Sequence, residues 1–187
     1  MKKICSLILI LLVVSFVASA QEATTFLGIP IDGSKSEMIS KLKAKGYKQS
    51  TTDRDALEGE FNGEDVLIYV QTNNNKVYRI AVLDASSRDE GQIKIRYNNL
   101  CTQFQNNARY SIADPEVTDY RLSDSEDISY EMSVHNKQYQ AAYIQRPNDP
   151  ASYNRLVWFT IGKSGYGKYT VAMFYENLNN KATGEDL

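Results

Sequence analysis

The most suggestive chemical motif in this chain is a glycine-rich segment. Gly162, Gly167 and Lys168 match the G-x-x-x-x-G-K spacing of a phosphate-binding loop, in which backbone N–H groups surround phosphate oxygens. Tyr169 stands where that motif needs Ser or Thr to bind magnesium. The segment also joins two predicted strands, whereas a phosphate loop precedes a helix whose N-terminus faces the phosphates. We therefore interpret it as a hairpin turn and predict no cofactor.

The only histidine, His135, argues against most metal and triad chemistry. Zinc sites and Ser/His/Asp sites generally combine histidine with other ligands or partners, and His135 lies in a predicted tight turn that faces solvent. Cys101 falls on the apolar stripe of a predicted helix, where a free cysteine usually behaves as a small buried side chain. We predict no catalytic residue and no metal ligand.

Carboxylates are the remaining route to catalysis, because a hydrolase can operate with two of them. Several crowd a polar segment around Pro115, and converging oxygens there could also bind calcium. Their spacing matches no calcium loop that we recognise, and solvated acidic loops are common. We interpret residues 111–127 as a long surface loop. Its carboxylates are Asp114, Glu116, Asp119, Asp124, Glu126 and Asp127.

The tyrosine content is the remaining indication of function, because the chain has 13 tyrosines. Tyrosine is favoured at recognition surfaces because it buries a large area and keeps a hydrogen-bonding tip. Tyr139 and Tyr143 are predicted to share one strand face, and Tyr153 and Tyr166 to lie in loops at the edge of the same half. These four are the candidate binding residues. The alternative is that sheet tyrosines are half-buried beneath helices and loops.

The first 20 residues have the features of a cleavable secretory signal peptide. Lys2 and Lys3 precede an apolar stretch that ends at Val17, and Ala18-Ser19-Ala20 suits signal peptidase. The apolar run of about 14 residues is shorter than the roughly 20 that span a bilayer. Cys5 does not follow this run directly, as a lipid-modified cysteine must, which disfavours a lipoprotein. We predict cleavage after Ala20, a periplasmic or secreted location, and no membrane span in the mature chain.

Residues 21–187 are predicted to form a single domain. Cleavage of 20 residues from 187 leaves 167, enough to bury about two-thirds of the unfolded surface. Loss of Lys2 and Lys3 from 21 basic residues leaves 19 against 23 acidic ones, a net charge of −4. Nucleic-acid-binding proteins show clustered Lys and Arg, so we exclude nucleic acid as a partner.

Two helices are predicted from capping and periodicity. The first covers about residues 35–45, between a capping box at Ser34–Glu37 and a left-handed stop at Gly46. The second opens with a similar motif over residues 87–90 and continues to about residue 106. Apolar residues recur along it at three- and four-residue steps and predict one buried stripe. The stripe consists of Ile93, Tyr97, Leu100, Cys101, Phe104 and Ala108.

An antiparallel meander is predicted around the second helix. Asn62-Gly63 predicts a tight hairpin between residues 57–61 and 64–71, because both central residues of a type I′ turn need positive φ. A third strand covers residues 76–83. Alternation from Ile128 to Val134 predicts a half-buried strand, followed by a partner that ends near Gln145. The last two strands, near residues 155–161 and 169–175, are apolar on both faces and are expected to be central or covered.

The predicted fold is therefore α+β with the order α-βββ-α-ββββ, in which two helices cover one face of an antiparallel sheet. The halves echo each other weakly. Tyr69-Val70-Gln71 is similar to Tyr143-Ile144-Gln145, and Lys76-Val77-Tyr78 is similar to Leu156-Val157-Trp158. A tandem αβ repeat would explain the echo, although one sheet with two helices explains the element order without it.

Three segments carry a family resemblance: Phe26–Gly33, Leu42–Tyr47 and Gly59–Gly63. The chain resembles a group of uncharacterised secreted proteins of Bacteroides-type gut bacteria over most of its mature length, including Gly184–Leu187. This resemblance implies an envelope or secreted location and no activity. A helix followed by a meander, stated twice, also looks like the tandem-repeat modules of β-lactamase-inhibitor proteins and small outer-membrane assembly lipoproteins, at the level of the fold alone.

Export, the lack of a recognised catalytic arrangement and the tyrosine content favour a non-enzymatic binding module. Its expected partner is a protein or glycan of the cell envelope or exterior. The question of enzymatic activity stays open, with a carboxylate-dependent envelope glycan hydrolase as the alternative. A carrier that encloses a small apolar ligand between the sheet and the helices is a third hypothesis.

Overall fold

The computed structural model describes residues 23–150 and 152–182. The predicted signal peptide with Cys5 and the closing segment Gly184–Leu187 lie outside these residues. The described chain is α+β, as predicted, with a large antiparallel sheet and a small two-stranded one. The small sheet pairs β1 (Thr25–Phe26) with β2 (Ile29–Pro30).

The large sheet has eight strands in the order β3-β4-β5-β6-β10-β9-β8-β7, and every neighbouring pair is antiparallel. The strands predicted in the first half are confirmed, and the last two strands are central or next to central, as expected. The large-sheet strands are β3 (Lys48–Gln49), β4 (Ala56–Phe61), β5 (Glu64–Asn73), β6 (Lys76–Asp84), β7 (Tyr110–Ile112), β8 (Gln140–Gln145), β9 (Arg155–Gly165) and β10 (Lys168–Asn177).

The two halves of this sheet have matching topology. Each half begins with a long helix and contributes four strands, and the last strands of the two halves, β6 and β10, pair at the centre. The topology therefore has the tandem arrangement considered from the sequence. The similar triplets are not evidence for this arrangement. One pair of triplets lies on β5 and β8 and the other on β6 and β9, and these strands are not equivalent in the two halves.

The helices and the core lie on one side of the sheet. Along β5, Val66, Ile68 and Val70 are buried, whereas Leu67 and Tyr69 between them are half-exposed. The buried set joins one continuous core with residues of the helices. We call this side the helix face and the other side the open face. The helices are α1 (Lys35–Ala44), α2 (Glu90–Gln105) and the short α3 (Ile128–Val134).

Capping decides where the two long helices begin. In α1 the predicted capping box is confirmed, since Glu37 N donates to Ser34 Oγ and Ser34 N donates to Glu37 Oε2. In α2 the predicted box is wrong. Asp89 is the N-cap, and its Oδ1 accepts from Gln92 N at 2.8 Å. Glu90 accepts instead from Ile128 N at 2.8 Å, which ties the start of α3 to α2.

The strand predicted over Ile128–Val134 is wrong, because this segment forms α3. Asp127 caps it by accepting from Tyr130 N at 2.8 Å. Only Ile128 is buried, whereas Tyr130 and Val134 are exposed. Alternation over seven residues is typical of a strand. Here the Asp127 cap and the buried side chain of Ile128 stabilise a helix instead. The fourth strand of this half is β7, which overlaps the start of the loop predicted over residues 111–127.

Tight turns join the strands where the sequence predicted them. Asn62 and Gly63 have φ of 55° and 75°, as a type I′ hairpin turn requires. The glycine-rich segment lies at the turn between β9 and β10, with Gly167 at φ 61°. The predicted hairpin is confirmed, and the segment does not stand before a helix.

Candidate binding surface

The four tyrosines predicted as binding residues are not gathered at one surface. Tyr139 and Tyr143 are 3% and 0% exposed and belong to the core of the helix face. Tyr153 and Tyr166 are exposed, but they flank β9 at its two ends. Eleven residues at about 3.3 Å each put those ends roughly 35 Å apart. The tyrosines therefore do not form a single patch.

The two buried tyrosines have packing roles. Tyr143 stacks on Phe104 of α2 with ring centroids 4.6 Å apart, and burial raises the pKa of its hydroxyl. The Tyr139 hydroxyl donates to Glu126 Oε1 at 2.6 Å and thereby anchors the polar loop to the sheet. Burial leaves neither side chain a surface to offer a partner. This arrangement corresponds to the alternative interpretation of the sheet tyrosines.

The carboxylates of the polar loop are held by local partners. The Asp119 carboxylate lies 2.7 Å from the Arg121 guanidinium, whose hydrogen bonds lower the pKa of Asp119 to about 2. Glu126 lies 2.5 Å from Lys137 Nζ. The loop begins at residue 113, after β7. Within residues 23–150 and 152–182, no three His, Cys, Asp or Glu side chains gather where they could hold a metal ion.

Cys101 is buried and His135 is exposed, as predicted, although His135 is the C-cap of α3 and not part of a tight turn after a strand. His135 is exposed at the end of α3, with Nδ1 2.9 Å from Glu131 Oε2. Cys101 is fully buried on the inner stripe of α2, and burial raises the pKa of its thiol to about 12. A thiol that stays protonated and inaccessible is a poor nucleophile.

The open face is the most distinctive surface of the described chain. The three helices bury their side chains in the core on the other side, so the apolar side chains of this face remain half-exposed. It is formed by alternate residues of the longer strands. Its half-exposed apolar members are Leu67 and Tyr69 of β5, Leu83 of β6, Ala172 and Phe174 of β10, Leu156 and Trp158 of β9, and Ala142 and Ile144 of β8.

A rigid aromatic pair lies at the centre of the open face. Trp158 and Phe174 oppose each other across β9 and β10, with ring centroids 4.2 Å apart and an interplanar angle of 24°. The Arg79 guanidinium lies 5.2 Å from the Phe174 centroid, within cation–π range. Tryptophan, tyrosine and arginine are the residue types that dominate binding energy at protein interfaces.

A buried carboxylate holds this centre in place. Glu176 is 1% exposed, and its Oε1 accepts from Trp158 Nε1 at 2.8 Å and from Arg79 Nε at 2.8 Å. Lys181 Nζ approaches Oε2 at 3.7 Å. These side chains line a shallow depression of about 300 Å³. The network fixes the rotamers of Trp158 and Arg79 before any partner arrives, which lowers the entropy lost on binding.

One edge of the open face is acidic. Glu58 and Glu60 of β4 lie on this face with Asp65 of β5, which is paired with Glu60, and the one basic residue of this edge strand pair is Lys48 of β3, opposite Glu58. Asp53 adjoins them and accepts from the Tyr69 hydroxyl at 2.7 Å. The backbone N–H of Asp55 and then this hydroxyl lower the pKa of Asp53, so it is ionised at neutral pH. A complementary partner would place basic residues over this edge.

The sequence analysis missed Arg79, Trp158, Phe174 and Glu176. The available signal was that β9 and β10 are apolar on both faces. We expected such strands to be central or covered. They lie at and next to the centre of the sheet, but in the described chain only their helix face is covered. Trp158 is the single tryptophan in the chain, and its position between Val157 and Phe159 puts it on the face of β9 opposite to these two buried residues.

Comparisons of the chain with family models, curated proteins and solved structures gave one result. Nothing matches. None of the helices in the described ranges has both the length and the apolar character that crossing a bilayer requires.

Proposed function

We propose that this protein is an exported, non-enzymatic binding module whose open face docks a partner protein. The observation that carries the proposal is the half-exposed aromatic and aliphatic centre of the open face, with Trp158 held by a buried carboxylate. Export is supported by the signal-peptide features of the first 20 residues. Apolar patches of this kind on one side of a domain mark interaction sites.

The dimensions of the open face suit a protein partner. Six strands have at least six residues each. At about 4.8 Å between strands and about 3.3 Å per residue, they give a face of roughly 29 by 20 Å. That area of about 600 Å² is of the order of the 800 Å² that a standard interface buries on each partner. The face is broad and shallow, whereas small ligands prefer enclosed clefts.

The charge of the open face specifies the partner further. Its acidic edge, formed by Asp53, Glu58, Glu60 and Asp65, adjoins the apolar centre. A partner with an apolar core and a basic rim matches this pattern, because opposite potentials steer association and suppress wrong partners.

The test is affinity capture with surface variants. The predicted mature chain, residues 21–187, is immobilised. It is then exposed to envelope and secreted fractions of its native host. Leu67→Lys and Thr160→Lys each add a charge to the open face, and Ile95→Lys is the matched control because Ile95 is an exposed apolar residue of α2. Thermal unfolding confirms that all three variants fold.

The proposal predicts a protein that wild type and Ile95→Lys retain and that both open-face variants lose. Association of the captured protein should also become slower with rising salt, because the acidic edge steers its approach. Retention of the protein by both open-face variants would contradict the proposal. So would capture of glycan in place of protein, or self-association through this face.

A further inference from the structure

A cleft opens on the helix face, between α2, the β1–β2 hairpin and the sheet. Its volume is about 440 Å³, within the 300–1,000 Å³ that small-ligand pockets occupy. It lies on the side of the sheet opposite the open face, so it is independent of the proposed docking surface. We call it the aromatic cleft after five of its lining residues: Tyr47, Phe61, Phe104, Tyr110 and Tyr175.

Tyr175 supplies an unused hydrogen-bond donor to the aromatic cleft. The residue is 6% exposed and packs against Phe26 with ring centroids 4.9 Å apart. Its hydroxyl forms no hydrogen bond to any residue in the described ranges and, unlike the Tyr143 hydroxyl, is not fully enclosed. Burial raises the pKa of this hydroxyl, so it keeps its proton at neutral pH. It is therefore poised to donate to an oxygen atom in the cleft.

Tyr110 supplies a second donor. Its hydroxyl accepts from Gln145 Nε2 at 3.1 Å, which leaves the hydroxyl proton for another acceptor. Gln145 is buried and held on both sides of its amide, since Thr25 N donates to Oε1 at 2.7 Å and Nε2 donates to Thr25 O at 3.0 Å. The position of the Tyr110 hydroxyl is thus fixed by the fold.

Arg109 gives the aromatic cleft a positive charge. Within the described residues its guanidinium forms no ion pair, and its one side-chain hydrogen bond joins Nε to Asn107 Oδ1 at 3.4 Å. Glu60 also lines the cleft, but its carbonyl accepts from the Tyr47 hydroxyl and its side chain belongs to the open face. Arg109 is therefore the cation that the cleft offers to a ligand, beside the side-chain amides of Asn62, Gln103 and Asn107, which can donate or accept.

We propose that the aromatic cleft binds a small carboxylic acid with an apolar, ring-containing body. The carboxylate accepts from the Arg109 guanidinium and from the Tyr110 and Tyr175 hydroxyls, and charge-assisted bonds of this kind are the strong ones. The ring packs in the corner formed by Phe104 and Tyr110, whose centroids are 4.8 Å apart in an edge-to-face arrangement.

The test is binding of paired probes that differ only in charge. Naphthalene-2-acetate, indole-3-acetate and 4-phenylbutyrate are each compared with the corresponding primary amide by calorimetry and by NMR titration of the secreted protein. The variants are Arg109→Gln and Tyr175→Phe. Arg54→Gln is the matched control, because Arg54 is an exposed arginine outside the aromatic cleft.

We expect at least one acid to bind about tenfold more tightly than its amide and to shift resonances of Leu100 and Met173, which line the cleft. Arg109→Gln should abolish this preference, Tyr175→Phe should weaken binding severalfold, and Arg54→Gln should change neither. The Trp158 indole resonance should stay unshifted. Equal binding of acid and amide, a preference that survives Arg109→Gln, or no binding by any probe at millimolar concentration would overturn the proposal.

Discussion

At the scale of residues, Glu176 is the side chain on which the open face depends most. Its buried carboxylate accepts from a guanidinium on β6 and an indole on β9, and so connects the two halves of the sheet. A buried charge is tolerated only when it is paired, and removal of one partner leaves the other uncompensated.

We expect Glu176→Ala to lower the free energy of unfolding by about 3 kcal/mol, because Arg79 loses its buried counterion. Glu58→Ala is the control. It removes a carboxylate from the same face whose hydrogen bond is to Thr51 N at 3.2 Å, and it should cost about 0.5 kcal/mol or less. Urea unfolding followed by circular dichroism measures both variants. A loss below about 1 kcal/mol for Glu176→Ala would show that the network does not hold the face.

At the scale of elements, the capping motif predicted at the start of α2 differs from the hydrogen bond that forms there. The motif begins at Ser87, whereas Asp89 caps the helix. Asp89→Ala should destabilise the protein by about 1 kcal/mol, because the N–H of Gln92 loses its acceptor. Ser87→Ala should have almost no effect, since Ser87 is exposed and lies before the cap. Thermal or urea unfolding checks the pair. Equal losses would instead support the capping box predicted from the sequence.

Elements set by local chemistry were predictable, and elements set by tertiary contacts were not. The α1 capping box, the Asn62-Gly63 turn and the inner stripe of α2 up to Phe104 all follow from neighbours in sequence. Ala108 was assigned to that stripe but lies exposed beyond the helix end. In α3, the Ile128 N–H bonds to Glu90, 38 residues away, and no local pattern contains that contact.

The candidate site was harder to predict than the fold for a related reason. Tyr139 and Tyr143 were candidate binding residues because they are tyrosines on one predicted strand face. A strand pattern, however, does not tell which face of the sheet the helices cover. The β9 register puts Phe159 against Tyr97 of α2 and its neighbour Trp158 on the opposite side. A shift of one residue in a strand exchanges the two faces, so the side that binds is a property of the assembled sheet.

At the scale of the whole molecule, the sheet separates the two proposed binding surfaces. The open face offers a broad apolar surface with an acidic edge, and the helix face contains the core and the aromatic cleft. Trp158 lies on the open face and is the single tryptophan of the chain. It therefore reports on the docking surface and should not respond to a ligand in the cleft.

The most direct test of the proposed docking surface is hydroxyl-radical footprinting of the protein, free and in complex with its captured partner, read out by mass spectrometry. We predict that oxidation of Trp158 and Leu67 falls severalfold in the complex, because docking removes them from water. Tyr153 and Tyr166 should be oxidised at unchanged rates, since they flank β9 away from the centre of the open face. Protection of these two tyrosines with Trp158 unchanged would contradict the account.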